Sequence, residues 1–273
     1  DQSSAASDVY KRQIVNWIKT YAQQNNRVSL VVGISGGIDS AVVSTLAAMT
    51  GLKTHVVSMP IKQIESQHDL SIKHGKWLEK KFKNVFHNIV HLDKTYDSLK
   101  EELGYVFDDD LAYANTKSRL RMVTLHQISA SQVGIVVGTG NKVEDFGVGF
   151  YTKYGDGGVD ISPIADLMKS EVWELGKELG VMQEIIDAPP TDGLWEDGRT
   201  DEDQLGGLTY PQMERAMTLD ELNAIPVGPD EELLKKYREI RSKNLHKMEP
   251  IPVFKVNNYT EGMNIVFNKE EKQ

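Results

Sequence analysis

The sequence predicts a doubly wound α/β domain, a parallel sheet of about five strands with helices on both faces. Three observations carry this. Apolar runs of strand length alternate with helical periodicity between Ser29 and Gly138. The run Leu30-Val31-Val32 is consecutive rather than alternating, as in a strand covered on both faces. A glycine-rich stretch at residues 33–40 joins that run to a helical segment, at the strand end where such sheets hold ligands.

The elements follow in order. Residues 1–8 are small and polar and read as a flexible end. From Val9 the pattern is helical, with Ile14, Trp17, Ile18 and Tyr21 on one stripe. A strand is expected over 29–34. The helix that follows from about Ser40 is apolar nearly all round, and Gly51 ends it. Strands near 54–58 and 85–90 bracket a helix over 64–80, with Pro60 stopping the first of them. A helix over 112–129 leads to a fourth strand at 134–138. The 169–179 segment is a helix with Val172, Leu175 and Leu179 inward and Gly180 as its stop. Residues 192–207 hold six acidic residues and little apolar content, and read as a mobile active-site loop. A last helix spans 230–245, with Leu233, Tyr237 and Ile240 inward. Right-handed crossovers then place helices on both faces. No linker or internal repeat divides the chain, so 1–273 is expected to form a single domain.

Composition narrows the function. The 273 residues suffice for a large core without disulfides or structural metal. There is no cysteine, which excludes disulfides, thiolate metal sites and cysteine nucleophiles and is compatible with the expected cytoplasmic location. No apolar run approaches the length of a membrane span, and no signal peptide is expected. The net charge of −9 argues against a general nucleic-acid binder but leaves nucleotides open, since these need only a local patch of donors.

The chemistry concentrates in Gly33-Ile34-Ser35-Gly36-Gly37-Ile38-Asp39-Ser40. Glycines let the backbone approach a ligand, and a helix N-terminus offers free N–H groups and partial positive charge to phosphate. Asp39 adds negative charge there, which makes sense if a divalent cation bridges it to the phosphates. A Walker loop fails because no lysine precedes Ser40, and the dinucleotide fingerprint fails on glycine spacing. A tight strand–helix turn without a ligand is the plain alternative.

Ser35-Gly36-Gly37-Ile38-Asp39-Ser40 resembles the pyrophosphate loop of the N-type ATP pyrophosphatases, which cleave ATP between its α and β phosphates and adenylate an oxygen of their substrate. The loop alone does not choose a member. A second stretch does: Gly138-Thr139-Gly140-Asn141-Lys142-Val143-Glu144, then Gly149-Phe150-Tyr151-Thr152-Lys153-Tyr154-Gly155-Asp156-Gly157-Gly158-Val159-Asp160, then Ser162-Pro163-Ile164, Leu167 and Lys169. With Asn115-Thr116-Lys117-Ser118-Arg119, Pro190-Thr191 and His246-Lys247 in matching order, the chain resembles the ammonia-dependent NAD synthetases over about Val9 to Val253.

The resemblance implies a Rossmann-like fold and a set of roles. Gly33, Ile34, Ser35, Gly36, Gly37, Ile38, Asp39, Ser40, Thr139, Lys169 and Thr191 would bind ATP. Asp39 and Glu144 would ligate Mg²⁺, and Asp39 and Lys169 would be catalytic. Arg119, Lys153, Asp160, His246 and Lys247 would bind deamido-NAD. Each also has a plainer reading: Glu144 as a helix-start carboxylate, Asp160 as a turn residue, Arg119, Lys153 and His246-Lys247 as surface charges. Lys117, four residues before Arg121, reads as part of a solvated face. Between Glu144 and Lys153 the chain carries one residue more than the common family pattern.

The implied reaction is ATP-dependent amidation of deamido-NAD by ammonia through an adenylated carboxylate, giving NAD, AMP and pyrophosphate. Ammonia is expected rather than glutamine, because the glutaminase domain of the glutamine-dependent form uses a cysteine and would not fit in this length. The resemblance also implies a homodimer. Leu120, Val123 and Ile128 on the 112–129 helix suit an interface or a core equally. The competing functions are another adenylating ligase of the same loop class and a nucleotide-binding module without catalysis.

Overall fold

The computed structural model describes the backbone of residues 2–256 and the side chains of residues 7–256. Asp1, and with it part of the expected flexible end, lies outside the described residues. Four parallel strands run in the order β3-β2-β1-β4: β1 (Ser29–Gly33), β2 (Lys53–Ser58), β3 (Val85–Ile89) and β4 (Gly134–Val136). Leu30 sits opposite Thr54 on one side and Ile135 on the other. Beyond β4, a single parallel bridge between Val137 and Ile161 extends the sheet where a fifth strand would lie.

Consecutive apolar residues in β1 divide between the two faces. Leu30 and Val32 pack with α1 (Gln2–Gln24), α2 (Ile38–Met49) and α6 (Lys169–Glu178). Val31 joins Val57, Met59, Tyr96 and Tyr113 on the opposite face, below α4 (Asp93–Leu103) and α5 (Asp110–Ser131). Leu120 and Ile128 of α5 pack into this face, whereas Val123 is 57% exposed. The remaining flank of β2 and β3 is covered by α3 (Glu65–Lys81).

A helical annex stands beside α6. It joins α9 (Tyr210–Glu221) and α10 (Pro229–Met248) to a π-helical turn at Val143–Val148 through Val148, Met213, Met217, Leu234 and Tyr237. α7 (Gln183–Asp187) packs on α2 and α6 through Ile185, and α8 (Asp201–Gln204) joins the annex through the Asp201–Tyr210 hydrogen bond.

Several expectations are adjusted. α1 starts at Gln2, ahead of Val9. Trp17 is 47% exposed and stacks near Tyr21, while Ile18 is fully buried, so the inward stripe is narrower than read. α4 and α9 were not expected. Residues 192–207 carry their own hydrogen bonds: Trp195 Nε1 donates to Gln204 Oε1 at 2.9 Å, and Thr200 caps α8 with Asp203.

Candidate active site

The glycine-rich loop closes on itself before α2 begins. Ser35 N donates to Ser40 Oγ at 3.1 Å, Ser40 Oγ donates to the Gly37 carbonyl at 3.2 Å, and Gly37 N donates to Ser35 Oγ at 3.2 Å. Gly36 has φ +91°, and a Cβ there would stand 2.7 Å from the Gln67 carbonyl, so both conformation and space require glycine. The first-turn N–H groups of Ile38, Asp39 and Ser40 have no acceptor within their own helix. They face the C-terminal end of the sheet as an anion cradle.

Three residues from three separate motifs meet at this cradle. Lys169, 3% exposed at its side chain, forms ion pairs with Asp39 and, at 3.3 Å, with Glu144. Asn141 orients the pair: its Nδ2 donates to Asp39 Oδ1 at 3.0 Å, and its Oδ1 accepts from Val143 N and Glu144 N. Tyr210 Oη lies 2.7 Å from both Glu144 Oε1 and Asp201 Oδ2. A phenol has one proton, so it donates to one of the two carboxyls at a time. Burial pushes Glu144 well above the ordinary carboxylate range and Asp201 up to about 6. Burial also opposes the charge on Lys169, but Asp39 and Glu144 outweigh it and hold its pKa above the ordinary lysine value.

The second motif runs into a π-helical turn at Val143–Val148, a rare geometry that occurs often at functional sites. Gly149, left-handed at φ +68°, ends the turn and donates its N–H to the Glu144 carbonyl.

A second cluster forms around residues 149–156. Arg119 Nε donates to the Lys153 carbonyl at 3.1 Å, and Lys153 Nζ donates to the His246 carbonyl at 3.2 Å. Lys247 Nζ donates to the Gly149 and Tyr151 carbonyls. Arg119, Lys153, His246 and Lys247 are therefore gathered from α5, the loop and the end of α10. Asp160 stands apart: its Oδ2 accepts from Val136 N at 2.7 Å, extending the edge of β4. Thr191 Oγ1 donates to the Arg199 carbonyl and accepts from Gly193 N, fastening the acidic loop. Thr139 follows β4, two residues before Asn141.

Sequence reading gave Asn141 no role within its motif, and it missed Asp201 and Tyr210. The Thr209 capping box and Pro211 announce α9 and would have placed Tyr210 at its first turn. Lys117 is a correction. It is 4% exposed, and its Nζ donates to the Leu194 carbonyl beneath the acidic loop rather than facing solvent.

Residues 10–251 match the NAD synthase family. The chain belongs to that family. Among its relatives, the NH(3)-dependent NAD(+) synthetase of Carboxydothermus hydrogenoformans is 35% identical over 240 residues, covering 86% of this chain and 92% of the relative. That of Alkaliphilus metalliredigens is 36% identical, covering 88% and 96%. The structure of an NMN synthetase from Francisella tularensis superposes with a TM-score of 0.80 at 31% identity, covering 90% of this chain and 98% of that one.

Proposed function

We propose that this NAD synthase family member is an ammonia-dependent NAD synthetase that amidates deamido-NAD at the expense of ATP. The observation that carries the reading is the convergence of Asp39, Glu144 and Lys169, distant in sequence, on one point beside an anion-binding helix start. The family and its curated relatives support the same assignment.

The chain's own residues would act as follows. Loop 33–40 receives the ATP phosphates on backbone N–H groups, with Thr139 and Thr191 at the rim. Deamido-NAD is held by Arg119, Lys153, His246 and Lys247, with Asp160 on the β4 edge nearby; its nicotinate carboxylate attacks the α-phosphorus and pyrophosphate leaves. Ammonia then attacks the acyl carbon and AMP leaves, since AMP is a far better leaving group than oxide. Lys169 lies where negative charge develops, and no covalent enzyme intermediate is needed. The acidic segment 192–207 excludes water as a lid.

The donor set suits Mg²⁺. Asp39 and Glu144 offer hard oxygens that already share one cation, Lys169, and phosphate oxygens can complete the shell. When bound there, the ion would neutralise charge on the phosphates. Among the described residues no helix is long and apolar enough to cross a membrane. We read α5 as the homodimer face, because exposed Val123 lies one turn from Arg119 on the same side of the helix.

The test is pyrophosphate release from ATP and Mg²⁺ with ammonium or glutamine as nitrogen donor. One structural relative is named for NMN, so the acceptors offered are deamido-NAD and nicotinate mononucleotide. Release that needs deamido-NAD, with NAD formed from ammonium and hardly from glutamine, is the expected outcome. Turnover of the mononucleotide alone would move the acceptor assignment, and silence with both would overturn it.

A further inference from the structure

A relay of side chains ties the phosphate loop to the sheet behind it. Ser71 Oγ, on α3, donates to the Ile34 carbonyl at 2.7 Å. Ser58 Oγ, at the end of β2, lies 2.6 Å from Ser71 Oγ, and His87 Nε2, on β3, lies 2.8 Å from Ser58 Oγ. Ser58 and Ser71 are 0% and 2% exposed. A carbonyl only accepts, so Ser71 spends its single proton on Ile34. Ser58 must then donate to Ser71, and His87 must carry its proton on Nε2 and donate to Ser58. Burial keeps His87 below the ordinary histidine range, consistent with a neutral ring of this one tautomer. The relay has a single polarity, from His87 through both serines to Ile34.

The sequence makes room for it. Gly75 lies inside α3, where glycine weakens a helix. A Cβ at that position would stand 2.4 Å from His87 Cε1, so the ring occupies the space the missing side chain leaves. Gln67, Ser71 and Gly75 fall on one face of α3, and the Gln67 carbonyl is the group that a Cβ on Gly36 would strike. A second relay runs alongside. His74 Nε2 lies 2.9 Å from Ser44 Oγ, which donates to the Ser40 carbonyl at 2.6 Å.

The peptide between Ile34 and Ser35 is thereby gripped at both ends. Its carbonyl accepts from Ser71, and its N–H donates to Ser40 Oγ. A planar peptide held at both groups has a fixed orientation, which sets the entry into the Gly36 turn and the aim of the N–H groups beyond it. We propose that Ser71, Ser58 and His87 are positioning residues that hold loop 33–40, through the Ile34 carbonyl, in the shape that receives ATP phosphates. This rests on the reading that the loop binds ATP.

The test compares KM for ATP, KM for deamido-NAD and thermal melting across a set of variants. Ser71→Ala leaves a buried carbonyl unsatisfied and is expected to raise KM for ATP roughly tenfold, with KM for deamido-NAD within about twofold of the parent. Ser58→Ala and His87→Leu free Ser71 to rotate and should raise KM for ATP roughly threefold. His87→Gln keeps an N–H for Ser58 and should stay close to the parent. If Ser71→Ala does not fold, the other three variants carry the test. Equal rises in both KM values, lower melting with KM for ATP unchanged, or a His87→Gln variant as impaired as His87→Leu would overturn the relay. Calorimetric titration of the unaltered protein with MgATP separates the two readings: no binding would overturn the loop assignment and the relay with it.

Discussion

Among the described residues, Lys169 is the one cation of a largely buried cluster that also holds Asp39, Glu144 and Asp201. Three carboxyls around one ammonium leave an excess of acid, and Tyr210 Oη stands 2.7 Å from both Glu144 and Asp201. The arrangement suits a site that receives further positive charge with its phosphate ligand. Asp39→Asn keeps the shape of the side chain and removes its charge. It is expected to lower ammonium-dependent turnover by at least about a hundredfold while leaving the melting temperature near that of the parent. Steady-state rates and melting curves check this, and near-normal rates would remove Asp39 from the metal assignment. Asp39, Glu144 and Lys169 were legible because each sits in a recognisable motif. Asn141, Asp201 and Tyr210 were not, because their work is to orient and neutralise other side chains. That role appears only when residues 39, 141, 144, 201 and 210 are brought together by folding.

At the scale of elements, the strand–helix alternation was readable because buried parallel strands leave consecutive apolar runs. The π-helical turn at Val143–Val148 was not visible in the sequence. Sequence spacing counts residues, whereas the turn's geometry depends on Gly149 and on packing against α10. α9 escaped because its apolar residues, Met213, Ala216 and Met217, serve the annex rather than the sheet. Helix α3 permits a pH prediction. Burial, with His87 nearby, pushes His74 down to about 4. The unfolded chain would bind a proton there near pH 6.5, so between these values the unfolded state holds more protons than the folded state. Stability from this group is therefore lost as pH falls from about 6.5 towards 4, on the order of 2 kcal/mol by pH 5. Glu144 and Asp201, raised by burial, act in the opposite direction, so the comparison must be a difference. His74→Gln should gain stability relative to the parent by about that amount between pH 7 and pH 5 in urea unfolding. A constant difference across this range would show that His74 does not titrate as its burial requires.

For the whole molecule, the question is how one crevice accommodates a dinucleotide beside ATP. The glycine-rich loop, proposed above to receive ATP, lies at the C-terminal end of β1, while Arg119, Lys153, His246 and Lys247 cluster on the side formed by α5 and the end of α10. Arg119 is exposed there, and Val123 on the same helix face is 57% exposed. An apolar residue beside Arg119, proposed above to bind the dinucleotide, fits a second copy of the chain covering α5 and closing that site. Val123→Glu places a charge on that face without touching the core, which Leu120 and Ile128 hold from the other side. The variant is expected to run as a monomer in light scattering. Its KM for deamido-NAD should rise roughly tenfold or more, while MgATP binding stays unchanged. A monomer that keeps the parent's KM for deamido-NAD would show that one protomer builds the whole site. A variant that remains a dimer would place the interface on another face.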